Sequence, residues 1–152
     1  MIKKNLIILV IFSFLSGCGF TPIFNSKNID VNINKIDFDN NKISRNLAKS
    51  IETFSNQTSN NAYNLLIETS STKNIATKDS KGNPSVFNLT LRIDITLINS
   101  KNSKEIKKSF SENINFNNID DKFKLRTTEE SLINQMSQNI LQEILSFLAT
   151  IR

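Results

Sequence analysis

The sequence predicts an α+β domain: a four-stranded mixed or antiparallel sheet with two helices packed on one face, in the order β-α-β-β-β-α. Three observations carry this expectation. Apolar residues alternate with polar ones in four separate segments, the period of a half-buried strand. Two other segments repeat apolar residues every three or four positions, the period of an amphipathic helix. Each element has only one apolar face, so helices covering one side of a sheet bury everything that needs burying.

The first strand is read at Ile29, Val31 and Ile33, with Asp30, Asn32 and Asn34 between them. Ile36 and Phe38 resume the apolar side after a slip of one residue, the pattern of a β-bulge. A helix over about 41–56 follows from Ile43, Leu47, Ile51 and Phe54, with Asn40 or Asn41 as N-cap. Tyr63, Leu65 and Ile67 predict the second strand, and residues 73–84 a polar connection that turns at Gly82. Phe87, Leu89, Leu91, Ile93, Ile95 and Leu97 predict the third and longest strand. Its other side is Asn88, Thr90, Arg92, Asp94 and Thr96, which faces water or a polar partner. After a turn at 99–103, Ile106, Phe110, Ile114 and Phe116 predict a fourth strand antiparallel to the third. The stripe from Leu132 to Ile151 predicts a final helix. Thr127 and Glu130, spaced as a capping box, place its start near residue 128.

The first residues have a different character. Lys3 and Lys4 precede an apolar run from Leu6 to Leu15, too short to cross a hydrocarbon core as a helix, which takes ~20 residues. The run fits the apolar region of a secretory signal. Leu15-Ser16-Gly17-Cys18 then presents small residues followed by a thiol able to accept a diacylglycerol group. We therefore expect residues 1–17 to be a cleaved lipoprotein signal peptide. Cys18 would carry diacylglycerol and N-acyl chains, residues 18–28 would form a short tether, and residues 29–152 a single domain. Gly19, rather than an aspartate, points to the outer membrane.

Composition excludes several function classes. The chain has no histidine and one cysteine, so a Ser-His-Asp triad, a cysteine-histidine pair and an internal disulfide are all absent. Asp120-Asp121 and Glu129-Glu130 read as a solvated loop and a helix N-terminus rather than as a catalytic pair. A lone Gly82 cannot build a phosphate-cradling loop. No catalytic residue, metal ligand or cofactor is expected apart from the lipid on Cys18. The net charge of +5 falls by two when Lys3 and Lys4 leave, too little for a nucleic-acid binder.

The segment Leu15-Ser-Gly-Cys-Gly-Phe-Thr-Pro-Ile-Phe24 resembles the start of the LptE family of lipopolysaccharide-assembly lipoproteins. The later layout is similar: Arg45-Asn-Leu47 in the first helix, a long strand after a glycine-bearing loop (Gly82 to Leu97), and Phe123 ahead of the last helix. The resemblance implies a non-catalytic plug and folding partner of the LptD-type outer-membrane β-barrel, lying at the periplasmic side or inside the lumen and binding lipopolysaccharide. It further implies basic lipopolysaccharide contacts in the loop before the long strand and just before the last helix, which fall on Lys78, Lys81 and Arg126. A solubilising surface charge is the commoner role of any one of these residues. The alternative is another envelope lipoprotein, either a peptidoglycan-synthase activator or an auxiliary subunit of an ABC transport system. The short tether favours the barrel partner, because a synthase activator must cross the periplasm.

Overall fold

The computed structural model describes residues 30–151; the signal segment, Cys18 and the tether lie outside them. The element order is β1 (Asn32–Phe38), α1 (Lys42–Phe54), β2 (Ala62–Lys78), β3 (Pro84–Asn99), β4 (Glu105–Asn117) and α2 (Lys122–Leu148), matching the expected β-α-β-β-β-α. The sheet order is β1-β2-β3-β4. β1 runs parallel to β2 and is joined to it by α1, while β2-β3 and β3-β4 are antiparallel.

The slip between Ile33 and Ile36 is a real irregularity: the pairing jumps from Ile33 with Tyr63 to Lys35 with Asn64. The extra residue, Asn34, returns Ile36 to the side of Leu65. Asn41 caps α1 by accepting the backbone N–H of Ile43 at 2.9 Å.

The core is one cluster between the sheet and both helices. Leu89, Leu91, Ile93, Ile95 and Leu97 of β3 are buried. Met136, Ile140, Ile144 and Leu148 of α2 close over β3 and β4, and Leu47 and Ile51 of α1 close over β1 and β2 in the same cluster. The intervening Arg92 is exposed, so the two faces of β3 divide as the alternation requires.

Two boundaries differ from expectation. The second strand does not stop near Ile67, and residues 73–84 are not a loop. β2 continues to Lys78, and only Asp79–Asn83 turn. From Ser70 onward β2 is exposed on both faces, so the apolar alternation fades although pairing continues from Ser70 with Arg92 to Lys78 with Pro84. The last helix begins at Lys122, with Asp121 as N-cap accepting from Phe123 N (2.9 Å) and Lys124 N (3.1 Å). Thr127 is not the cap: its hydroxyl donates to Phe123 O at 3.0 Å, one turn back inside the helix. In these extra turns Leu125 is the buried residue.

Candidate functional site

The strand directions separate the domain into two ends. At the entry end lie the start of β1, the start of β2 and the β3-β4 turn, joined by Asn32 N to Asn61 O and Ser100 N to Ala62 O, both 2.9 Å. At the far end lie the β2-β3 turn, the end of β4 and the first turns of α2. Asn118 ties this end together, donating from its backbone N–H to Ser85 O and from its side-chain amide to Pro84 O, both at 2.9 Å. At about 3.3 Å per residue, the 17 residues of β2 separate the two ends by about 50 Å.

Lys78, Lys81 and Arg126 all fall at the far end. Lys78 is the last residue of β2. Lys81 is in the turn, whose shape depends on Asp79: its carboxylate accepts the backbone N–H groups of Lys81 (2.9 Å) and Asn83 (2.8 Å). Gly82 takes the left-handed conformation, with φ of 85°, that the reversal needs. The bonds from Asn83, then those from Lys81 and Gly82, hold the Asp79 carboxyl below the usual carboxylate range. The turn is thus preformed, with Lys81 exposed on it.

Arg126 does not precede the last helix. It projects from its early turns, exposed, with its guanidinium on Glu130 at 3.1 Å in an i,i+4 pair. Lys73, expected in a loop, lies on β2, paired with Glu129 and 5.4 Å from the centre of the Phe87 ring. Among the described residues Lys78 and Lys81 make no ion pair, so the far end presents free cations on the turn and a loosely held one on the helix.

Apolar surface accompanies these cations, and the sequence reading did not assign it a role. Phe123 is 80% exposed and Ile75 is 49% exposed. Phe87 and Phe116, partly buried, stack at a tilt with ring centres 5.7 Å apart. The available signal was the parity of Ile75, which continues that of Leu65 and Ile67 into a stretch otherwise polar.

The second extended surface is the side of the sheet away from the helices. Its polar groups satisfy one another. Asn88 donates to Asn115 at 2.8 Å. Arg92 holds Asp94 through Nε (2.8 Å) and Nη2 (2.9 Å) and reaches Ser109 at 3.0 Å, and Ser109 in turn donates to Asp94. The Arg92 bonds, followed by the Ser109 bond, lower the Asp94 pKa below its ordinary 3.8. A depressed folded-state pKa means this contribution is complete above the unfolded value and fades as pH falls through the folded one. The pair is therefore intact at neutral and mildly acidic pH. The surface is built to meet a wet, polar environment.

No described residues form a cluster of three or more Asp, Glu, His or Cys able to hold a metal, and no described helix is long and apolar enough to cross a membrane.

A family model described as LptE, lipopolysaccharide-assembly, matches residues 28–148. The chain belongs to the LptE family. That match covers every strand and both helices, and it places the chain among lipopolysaccharide-assembly lipoproteins of the cell envelope, a family without catalytic activity. No curated protein matches the chain. Among solved structures, rare lipoprotein B from Shewanella oneidensis is similar in fold, with a TM-score of 0.62 at 11% identity over 77% of this chain and 95% of that one. A putative lipoprotein from Caulobacter crescentus has a TM-score of 0.52 at 16% identity, over 80% of this chain and 89% of that one. At such identities the likeness concerns the fold alone.

Proposed function

We propose that this LptE-family chain is an outer-membrane lipoprotein, anchored through acyl chains on Cys18, that plugs an LptD-type β-barrel, helps it fold and contacts lipopolysaccharide at its far end. The observation that carries the reading is the family match across residues 28–148. Two features of the surface support it. The sheet side from Asn88 to Thr96 is polar, as a body inside a water-filled barrel must be. The basic end stands about 50 Å from the entry end, at the strand rise of about 3.3 Å per residue. A domain tethered in the inner leaflet can thus carry Lys78, Lys81 and Arg126 past a hydrocarbon core of ~30 Å. Cations beside Ile75 and Phe123 suit an amphiphile with phosphates on its headgroup.

An affinity pull-down of the full chain from detergent-solubilised outer membrane, followed by mass spectrometry, is expected to recover one large β-barrel in equimolar amount. Recovery of a peptidoglycan synthase or an ABC transporter in its place would transfer the case to those systems.

Charge reversal of Lys78, Lys81 and Arg126 together is expected to weaken lipopolysaccharide binding by the purified chain about tenfold or more, since each lost charge-assisted contact is worth ~1.5–3 kcal/mol. Barrel recovery should be unchanged. Undiminished lipopolysaccharide binding would remove the far end as the contact while leaving the barrel partnership standing.

A further inference from the structure

We infer that a hollow at the entry end of the domain receives the chain's own tether, with Ile23 and Phe24 packed into it. Those two positions lie outside the described residues, and the inference does not depend on the barrel reading.

The hollow has a volume of about 400 Å³ and lies between the start of β2, the β3-β4 turn and the end of α2. Tyr63, Ile106, Phe147 and Ile151 give it an apolar lining, with Asn102 and Thr150 among its polar residues. Ile106 and Phe147 pack against the core and stay only partly covered. Among the described residues nothing fills this space. A cavity of ~150 Å³ already takes a benzene ring, so there is room for the Phe24 ring with Ile23 beside it.

The route of the chain brings the tether to this place. Val31 is fully buried, and its carbonyl accepts Asn56 N at 3.0 Å. The Asp30 carbonyl accepts the Ser59 hydroxyl at 3.0 Å. These bonds fix the point where the tether joins the domain, at the entry end against the α1-β2 connection. Ile33 pairs with Tyr63, so the near wall of the hollow is one strand spacing from β1, about 4.8 Å. Ile106, on β4, is about three spacings away. Phe24 stands six residues before Asp30, a reach of up to about 20 Å at ~3.3–3.6 Å per residue. The far end, about 50 Å along β2, is out of range.

Composition selects this occupant over others. Between Gly19 and Ile29 the one charge is Lys27, while Phe20, Ile23, Phe24 and Ile29 are large and apolar. A spacer meant only for water is built from glycine, serine and charge. A barrel lumen is polar and has little to bury in an apolar hollow, and acyl chains on Cys18 belong to the bilayer. Seating Ile23 and Phe24 leaves only the few residues after Cys18 as free tether, which holds the entry end close to the leaflet.

Tyr63 provides the test, because it is the only tyrosine in a chain without tryptophan. Its fluorescence therefore reports from the wall of the hollow. In the purified full-length acylated chain, Phe24→Ser should raise acrylamide quenching of Tyr63 about twofold or more. Phe123→Ser, which removes an exposed ring at the far end, should leave quenching unchanged. Unchanged quenching in Phe24→Ser overturns the inference. A second measurement is disulfide trapping within one chain, where an acylated Cys18 cannot compete. Asn25→Cys should bond to Thr150→Cys or to Asn102→Cys on oxidation, read as two thiols lost to alkylation at unchanged monomer mass. Asn25→Cys with Glu105→Cys, at the same end but on the opposite side of the sheet from Ile106, should keep both thiols. Trapping with neither Thr150→Cys nor Asn102→Cys, or equal trapping with Glu105→Cys, overturns the inference.

Discussion

Truncating Leu91 to alanine is expected to lower the unfolding free energy by about 2–5 kcal/mol, the cost of deleting a fully buried leucine and leaving its cavity. Leu91 has 0% exposure in the middle of β3, between Leu89 and Ile93, which are equally enclosed. Native domains hold only about 5–15 kcal/mol in reserve, so this one change removes a large share. The next residue provides the contrast. Arg92 is exposed, and its alanine variant loses a solvent-screened ion pair and the Ser109 contact, a far smaller loss. Urea unfolding of the two variants beside the parent, in the same detergent, measures both. Equal losses would mean that the two faces of β3 have been assigned wrongly.

Replacing Cys18 with alanine is expected to have the largest effect in the cell. Without a thiol to acylate, the chain should persist as a precursor that retains residues 1–17, and it should fail to reach the outer membrane. A single acyl chain binds a bilayer only marginally and two or more hold it stably, so removing all of them abolishes the anchor rather than weakening it. Intact-mass measurement of parent and variant after membrane fractionation decides the matter. A native protein whose Cys18 carries no lipid would refute the anchor altogether. The barrel pull-down should fail with this variant, although the folded domain is untouched.

The fold was legible where burial wrote a period into the chain. β3 is buried on one side along most of its length, and its alternation located it to within a few residues. The bulge at Asn34 was visible for the same reason, because a one-residue slip moves every later side chain to the opposite face. The far half of β2 was not legible. Its residues after Thr69 are exposed on both sides, so no burial pattern marks Ser70–Lys78 as strand, and its pairing with β3 is a non-local fact. The start of α2 was misplaced for a related reason. Thr127 and Glu130 have capping-box spacing, while the true cap, Asp121, stands before turns that bury only Leu125. At the basic end the residue types were readable and their circumstances were not. Arg126 and Glu130 have i,i+4 spacing, but that makes a pair only on a helix that starts before Arg126, and nothing in the order of residues indicates that Glu129 takes Lys73 out of play. The exposure of Phe123 is equally invisible, because it depends on where a helix that starts earlier than expected lies over the sheet.

The helix that follows the sheet is also the lid over β3 and β4. Among the described residues, only α2 covers β3 and β4 with Met136, Ile140, Ile144 and Leu148, and it comes after every described strand in the chain. Until it arrives, the buried side of the longest strand has no cover, and the β2-β3 and β3-β4 hairpins can pair but cannot close. Closure of this side of the sheet therefore waits for residues 122–148. A chain stalled before Ile140 is a sheet with an open oily side, which invites chaperones and proteases. One released whole can seal itself in a single step.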